Sequence, residues 1–154
     1  MAQKELTIEK TFNAPPQSVW KALTDQNEME KWFGPEGFST PVVQIDPKVG
    51  GKIYLEMEDV AGYVQKGMRS PMEGEFKELT PPTKMVYSAN PLVNGKPAME
   101  TLITINLTDE SGKTKMNLYV EVVSSTPEAE PMLQGMKTGW NQSLDKLAKL
   151  LENK

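Results

Sequence analysis

The stretch VWKALTDQNEMEKWFGP, at residues 19–35, decides the fold of this chain and holds two of its three tryptophans. Its apolar residues recur at helical spacing over two short segments, and Gly34-Pro35 ends the second. Asp25 is the predicted N-cap of the second helix, and Glu28 completes a capping box. Helices of this length are unstable alone, so the segment must pack onto a larger apolar surface.

Three aromatic side chains of this stretch, Trp20, Trp32 and Phe33, admit two interpretations. They could form a lid over a ligand, or a structural plug that closes one end of a core. Aromatic residues at helical spacing more often belong to a core, which favours the plug. The Gly34–Gly37 turn could likewise be a gating hinge, although a helix stop is the simpler account.

Alternating sequence patterns supply the surface onto which the short helices pack. Apolar residues such as Ile53, Leu55 and Met57 fall on alternate positions, so one face of an antiparallel sheet needs cover. Turn residues separate the segments. The predicted strands are Glu5–Phe12, Ser39–Ile45, Lys52–Glu58, Met72–Leu79, Lys84–Ala89, Met99–Thr108 and Lys113–Val123.

A long amphipathic helix from about Glu128 to Glu152 is predicted to provide that cover. Pro127 and the acidic residues after it favour a helix N-terminus. At 1.5 Å per residue the helix is roughly 35 Å long, enough to cross a sheet. Its apolar stripe consists of Leu133, Met136, Trp140, Leu144, Leu147 and Leu151.

The order of these elements predicts an α+β fold in a single domain that spans residues 1–154. A curved antiparallel sheet of about seven strands wraps around one long C-terminal helix, and two short helices follow the first strand. Such a sheet tends to leave a cavity between itself and the helix. The short helices would plug one end of that space.

Composition argues against several classes of function. A net charge of −4 and a pI near 5.0 argue against nucleic acid and membrane as partners, since both need a cationic face. The chain has no Cys and no His, which rules out disulfides, thiolate or imidazole catalysis and the usual zinc ligands. Residues Met1–Glu5 begin no secretory signal, and no apolar run approaches membrane-spanning length. A cytoplasmic protein without metal or cofactor is therefore expected.

Local motifs along the chain, taken in order, resemble one known family. These motifs are Phe12–Pro15, Val19–Asp25, Met29, Lys31–Pro35, Asp46–Gly51, Gly74–Pro82, Gly139-Trp140 and Leu144–Leu147. They are similar to the START-like helix-grip superfamily (SRPBCC), and within it to single-domain relatives of the C-terminal part of the heat-shock-protein-90 ATPase activator. The resemblance covers nearly the whole chain. Relatives usually carry Arg at the position of Lys48, so an ion pair with Asp46 should be looser here.

The resemblance and the predicted fold together suggest three functions. The first is a binding protein whose apolar cavity holds a small hydrophobic or amphipathic ligand. The second is a chaperone-associated, stress-response module with a heat-shock-protein-90 type partner, as the resemblance to the activator implies. The third is an enzyme of the cyclase or hydrolase kind, which would use an Asp, Glu or Tyr of the cavity.

The predicted ligand site is an apolar pocket under the long helix. Methionines scattered over the strands and the helix are either ordinary core filling or an adaptable pocket lining. With few polar groups to orient a guest, binding should be adaptable rather than selective. The predicted lining residues are Trp32, Phe38, Met57, Phe76, Tyr87, Ile103, Met116, Leu118, Met136 and Trp140.

No catalytic residue is predicted, although the sequence contains paired carboxylates. Solvated strand faces account for both pairs, which are Glu56 with Glu58 and, in the next strand, Glu73 with Glu75. Phenols remain an alternative source of a polar contact. Tyr87 and Tyr119 could each offer one to a ligand or lie on the surface.

Overall fold

Eight antiparallel strands form one sheet in the computed structural model, which describes residues 5–152. Across the sheet the order is β1-β8-β7-β5-β4-β3-β2, and the short β6 pairs with β5. The strands are β1 Glu5–Phe12, β2 Phe38–Ile45, β3 Lys52–Asp59, β4 Arg69–Thr80, β5 Lys84–Val93, β6 Lys96–Pro97, β7 Met99–Glu110 and β8 Lys113–Ser125.

Three α-helices accompany the sheet among the described residues: α1 at Pro16–Thr24, α2 at Gln26–Trp32 and α3 at Glu130–Glu152. The last is preceded by a 3-10 turn at Pro127–Ala129, so the long helix begins slightly later than the predicted Glu128. Two short helices after the first strand, a curled sheet and one long C-terminal helix confirm the predicted α+β helix-grip fold.

The joint between the two short helices shows why the chain turns there. The Asp25 side chain accepts a hydrogen bond from the Glu28 N–H at 3.1 Å, as an N-cap of α2 does. The Asp25 N–H, which a full capping box would direct at the Glu28 side chain, donates to the Lys21 carbonyl at 2.9 Å. Asp25 therefore ends α1 and begins α2.

Two strand boundaries differ from the prediction by three residues or more, and the other differences are of one or two residues. β4 begins at Arg69 rather than Met72, because the Arg69 guanidinium pairs at 2.9 Å with Glu56 and Glu58 of the neighbouring β3. β5 continues to Val93 and turns into β6, where a loop was predicted. The turn is Asn94-Gly95, both at positive φ, which is the sequence that favours a two-residue hairpin.

The core lies between one face of the sheet and α3. Strand register brings Ile8 opposite Leu118, and Leu118 opposite Ile105. From the helix, Leu144 and Leu147 belong to the same buried cluster. Each of these side chains is at most 7% exposed, so the burial of apolar surface stabilises the contact between sheet and helix.

Residues 1–4 and 153–154 lie outside the described part of the chain. The absence of a signal sequence at Met1 therefore stays a prediction, and so do the domain bounds of 1–154. Within residues 5–152, no helix combines the length and the apolar character needed to cross a bilayer.

Candidate functional site

A small apolar cavity lies between the short helices and the β2–β5 half of the sheet. Its volume is about 20 Å³, which is room for roughly one water molecule. Small-molecule sites typically occupy about 300–1,000 Å³, so a ligand of that kind would need the lining to move. The lining residues are Leu23, Met29, Trp32, Phe33, Ile45, Ile53, Leu55, Met72, Phe76, Met85 and Tyr87.

The structure distributes the predicted lining residues over four places. Trp32, Phe76 and Tyr87 line the cavity, whereas Phe38 lines a separate surface groove described below. Met57, Met136 and Trp140 are half-buried and pack against the core. Ile103, Met116 and Leu118 lie in the closed core, at most 3% exposed, and border neither space.

The cavity lies under α2, and no residue of α3 lines it. The reason is that the aromatic end of α2 occupies the space beside α3. Phe33 meets the Trp140 ring edge-on, with 6.1 Å between the ring centroids. Met29 and Phe33 were visible in the sequence as neighbours of Trp32 at helical spacing. Their position under the sheet could not be predicted from the sequence, because it depends on how α2 crosses α3.

Trp32 behaves as a plug in this arrangement. Its side chain is 1% exposed, and its indole N–H donates to the Ala22 carbonyl of α1 at 2.8 Å. The hydrogen bond satisfies the indole's one polar group and ties α2 to α1. The edge contact with Phe33, at 5.6 Å between centroids, continues the aromatic row.

Tyr87 provides the cavity with a phenol. Its ring packs edge-on against Phe76 at 6.2 Å, and within residues 5–152 its hydroxyl has no hydrogen-bond partner. Burial raises the pKa of the Tyr87 phenol. The hydroxyl therefore stays protonated and can donate a hydrogen bond, but it is no proton acceptor near neutral pH. No ionised side chain lines the cavity with it.

An open groove of about 380 Å³ lies on the flank of α3. Its walls come from the α2–β2 connection, the β3–β4 loop and the N-terminal half of α3. Phe38 and Tyr63 lie beside each other in it, with ring centroids 6.5 Å apart. The lining residues are Pro35, Glu36, Phe38, Tyr63, Gly135, Thr138, Gly139 and Gln142.

Polar side chains of α3 hold the α2–β2 connection, here named the 33–38 loop. The Gly34 N–H donates to the Ser143 hydroxyl at 3.2 Å, and the Glu36 N–H donates to the Gln142 amide oxygen at 3.0 Å. These bonds satisfy loop N–H groups that no strand or helix pairs.

Lys146 completes this set, and we name Gln142, Ser143 and Lys146 the clasp. The Lys146 ammonium donates to the Pro35 and Phe38 carbonyl oxygens, each at 3.2 Å. Partial burial lowers the pKa of Lys146, while the nearby Glu36 carboxylate opposes that change.

The opposite wall of the groove is a loop built around Asp59, which is 0% exposed. Its carboxylate accepts backbone N–H bonds from residues 62–65, at distances between 2.7 and 3.1 Å. Burial acts to raise the pKa of Asp59, but these four bonds outweigh it and the pKa is lowered. The loop thereby presents Val60, Tyr63 and Val64 to solvent in a fixed geometry.

Several other carboxylates form ordinary surface ion pairs. Glu75 is paired with Lys52 and Lys77, and the Lys48 ammonium lies 3.5 Å from the Asp46 carboxylate. The Tyr119 hydroxyl donates to the Glu5 carboxylate on the outer surface at 2.9 Å, so Tyr119 takes the surface role and not the ligand role. In the described part of the chain no cluster of three or more His, Cys, Asp or Glu could hold a metal ion.

Comparison with known proteins identifies the family. The model of the family "Activator of Hsp90 ATPase homolog 1-like protein" matches residues 13–152. A crystal structure of a Chromobacterium violaceum protein superimposes with a TM-score of 0.84 at 30% identity, over 97% of this chain and 97% of that one. For a Nitrosomonas europaea protein the TM-score is 0.76 at 25% identity, over 97% and 94% of the two chains.

More distant structures share the fold alone. The AHSA1 protein from Silicibacter pomeroyi gives a TM-score of 0.78 at 21% identity, over 96% of this chain and 97% of that one. No curated protein matches this sequence.

Proposed function

Because the chain belongs to the family of activator of Hsp90 ATPase homolog 1-like proteins, we propose that it is a binding module for a small hydrophobic or amphipathic ligand. The observation that carries this proposal is that the helices cover the apolar face of the sheet incompletely. Met57, Met72 and Tyr87 on the sheet are half-buried, and so are Met136 and Trp140 on α3. Apolar side chains left partly exposed next to one another can form a binding surface.

Methionine supplies the movement that ligand uptake requires. A space of about 20 Å³ is too small for a ligand, so side chains must rearrange. Met29, Met72 and Met85 all border the cavity. The unbranched thioether of Met repacks at low cost, and this supports a lining that adapts to its guest.

The lining also indicates the chemistry of the ligand. The lining is apolar except for the Trp32 N–H and the Tyr87 phenol. The Trp32 N–H already donates to the Ala22 carbonyl, so the phenol is the one polar group of the lining that a guest can use. A guest that is mostly hydrocarbon and carries one hydrogen-bond acceptor would match this surface. Its affinity should depend only weakly on salt, since no charge faces the cavity.

Titration with 1-aminoanthracene, a small fluorescent apolar probe, tests the binding function. We expect saturable binding by the parent chain. Met72→Trp should weaken binding by roughly tenfold, because the indole fills the space into which the guest would expand. Val123→Trp is the matched control, since Val123 is 61% exposed away from the cavity. No binding by the parent, or equal binding by both variants, would contradict the proposal.

A chaperone-associated role is the second candidate, favoured by the family match over residues 13–152. A pull-down with an Hsp90 homologue and its ATPase rate, measured with increasing amounts of this chain, test that role. A rate that is unchanged at saturation would contradict it. Both candidates assume a cytoplasmic protein, which cell fractionation can check. No observation favours the enzyme hypothesis over these two.

A further inference from the structure

The 33–38 loop borders both the cavity and the groove. Phe33 lines the cavity, whereas Pro35, Glu36 and Phe38 line the groove. On the helix side the Phe33 ring meets Trp140, and the neighbouring Gly139 lines the groove. We infer that the loop is a gate, and that the groove is the outer part of the ligand site. This inference rests on the binding function proposed above.

The backbone of the loop indicates which part moves. Phe33 is anchored, because its N–H donates to the Met29 carbonyl and its own carbonyl accepts from the Thr40 hydroxyl at 2.6 Å. Beyond it, Gly34 and Gly37 have φ values of +108° and +88°, in the region that favours glycine. The segment between these glycines can swing while the Phe33 ring rotates out of the cavity.

The clasp sets the closed position of this segment. All four of its bonds join α3 side chains to loop backbone, so water can replace each of them when the loop opens. The Gly37 carbonyl accepts from the Val60 and Ala61 N–H groups at 3.0 and 3.1 Å, so Gly37 stays fixed on the β3–β4 loop and the moving part is Pro35 and Glu36. The loop is closed in this structure and can open without unfolding the sheet or α3.

The groove also restricts the polar end of the ligand. Among the described residues that line it, Glu36 alone carries a formal charge. A carboxylate disfavours an anionic group nearby, and the Lys146 ammonium is turned toward loop carbonyls. The ligand class is thus an amphipathic molecule with its apolar end in the cavity and a neutral or cationic end in the groove.

A disulfide across the gate tests the inference. A Cβ built on Gly139 lies 3.9 Å from the Pro35 Cβ, close to the mean disulfide Cβ separation of about 3.8 Å. The chain has no other cysteine, so the Pro35→Cys/Gly139→Cys pair forms without competition. Uptake of 1-aminoanthracene, followed by stopped-flow fluorescence, should slow by at least about tenfold on oxidation and recover on reduction. The single-cysteine variants are the controls.

The outcomes separate the two proposals. Equal uptake rates in the oxidised and reduced double variant, with binding intact, would overturn the gate and leave the binding function standing. No binding by the parent chain would overturn the binding function and the gate with it. Circular dichroism of the oxidised form verifies that it is folded.

A second variant opens the gate instead of locking it. Lys146→Met keeps the apolar stem but removes the donor to both loop carbonyls, so uptake should become about tenfold faster. Lys149→Met is the matched control on the exposed side of α3. Equal rates for the two variants would overturn the role of the clasp as the closing device.

Competition with dodecylamine and dodecanoate tests the ligand class. Dodecylamine should displace 1-aminoanthracene at about tenfold lower concentration than dodecanoate, and Glu36→Gln should remove most of that difference. A preference for dodecanoate would overturn the assigned class.

Discussion

The space between sheet and helix has two ends that differ although the same elements form both. At the closed end, Met116, Leu118, Leu144 and Leu147 are 0% exposed. At the open end, Met57, Met72, Met136 and Trp140 are only half-buried. The apolar stripe of α3 runs through both ends, so hydrophobic periodicity identifies the inward face and does not tell how deeply each position is buried.

The difference arises from what lies between the layers. At the closed end α3 packs directly beside β1, and the Lys10 ammonium reaches Asp145 of the helix at 2.9 Å. At the open end the aromatic tip of α2 and the 33–38 loop are inserted against the helix. One end is thus built for stability, and the other retains surface that a ligand can cover.

The largest effect is expected at the closed end. Leu118→Ala should lower the free energy of unfolding by about 2–5 kcal/mol, because the side chain is completely buried and its loss leaves a cavity. Urea denaturation followed by circular dichroism measures it. A loss below about 1 kcal/mol would mean that this end is as loosely packed as the other.

Trp140→Ala sharpens the comparison from the open end. A fully buried Trp would cost about 3–5 kcal/mol on truncation. Trp140 is half-buried and keeps one edge contact with Phe33, so we expect about 1–3 kcal/mol. The same urea titration gives the value. A cost equal to that of Leu118→Ala would remove the distinction between the two ends.

Much of the fold could be predicted from sequence because it depends on local periodicity. Alternation identified the seven longer strands, and three- and four-residue steps identified α3. The Asn94-Gly95 hairpin was missed although its signal is present in the sequence.

The candidate site was harder to predict because it depends on contacts between distant segments. Met116 and Leu118 share the inward face with Tyr87, and only the crossing of α2 over the sheet decides which of them borders a space. The clasp residues gave no signal, since Gln142 and Lys146 look like an ordinary solvent-exposed helix face in sequence. Their partners are loop backbone atoms more than a hundred residues away.

Acid should weaken the open end selectively through Asp59. Its folded-state pKa is lowered, so its contribution to stability is present above its unfolded pKa of about 3.9 and is lost as pH falls through the folded value. Asp59→Asn should therefore lower the melting temperature at pH 7, and the gap to the parent should narrow below about pH 4. Asp46→Asn, at an exposed carboxylate, is the control. A gap that stays constant with pH would contradict this assignment.

The smallest effect is expected for the ion pair that joins β1 to α3 at the closed end. Lys10 and Asp145 approach to 2.9 Å, but their side chains are 28% and 66% exposed, so water screens the attraction. A double-mutant cycle with Lys10→Met and Asp145→Asn should give a coupling energy of about 0.2–1 kcal/mol. The coupling should fall in 1 M salt, where the screening length shrinks to about 3 Å. A coupling above about 2 kcal/mol that resists salt would mean that charge, and not apolar burial, holds the closed end together.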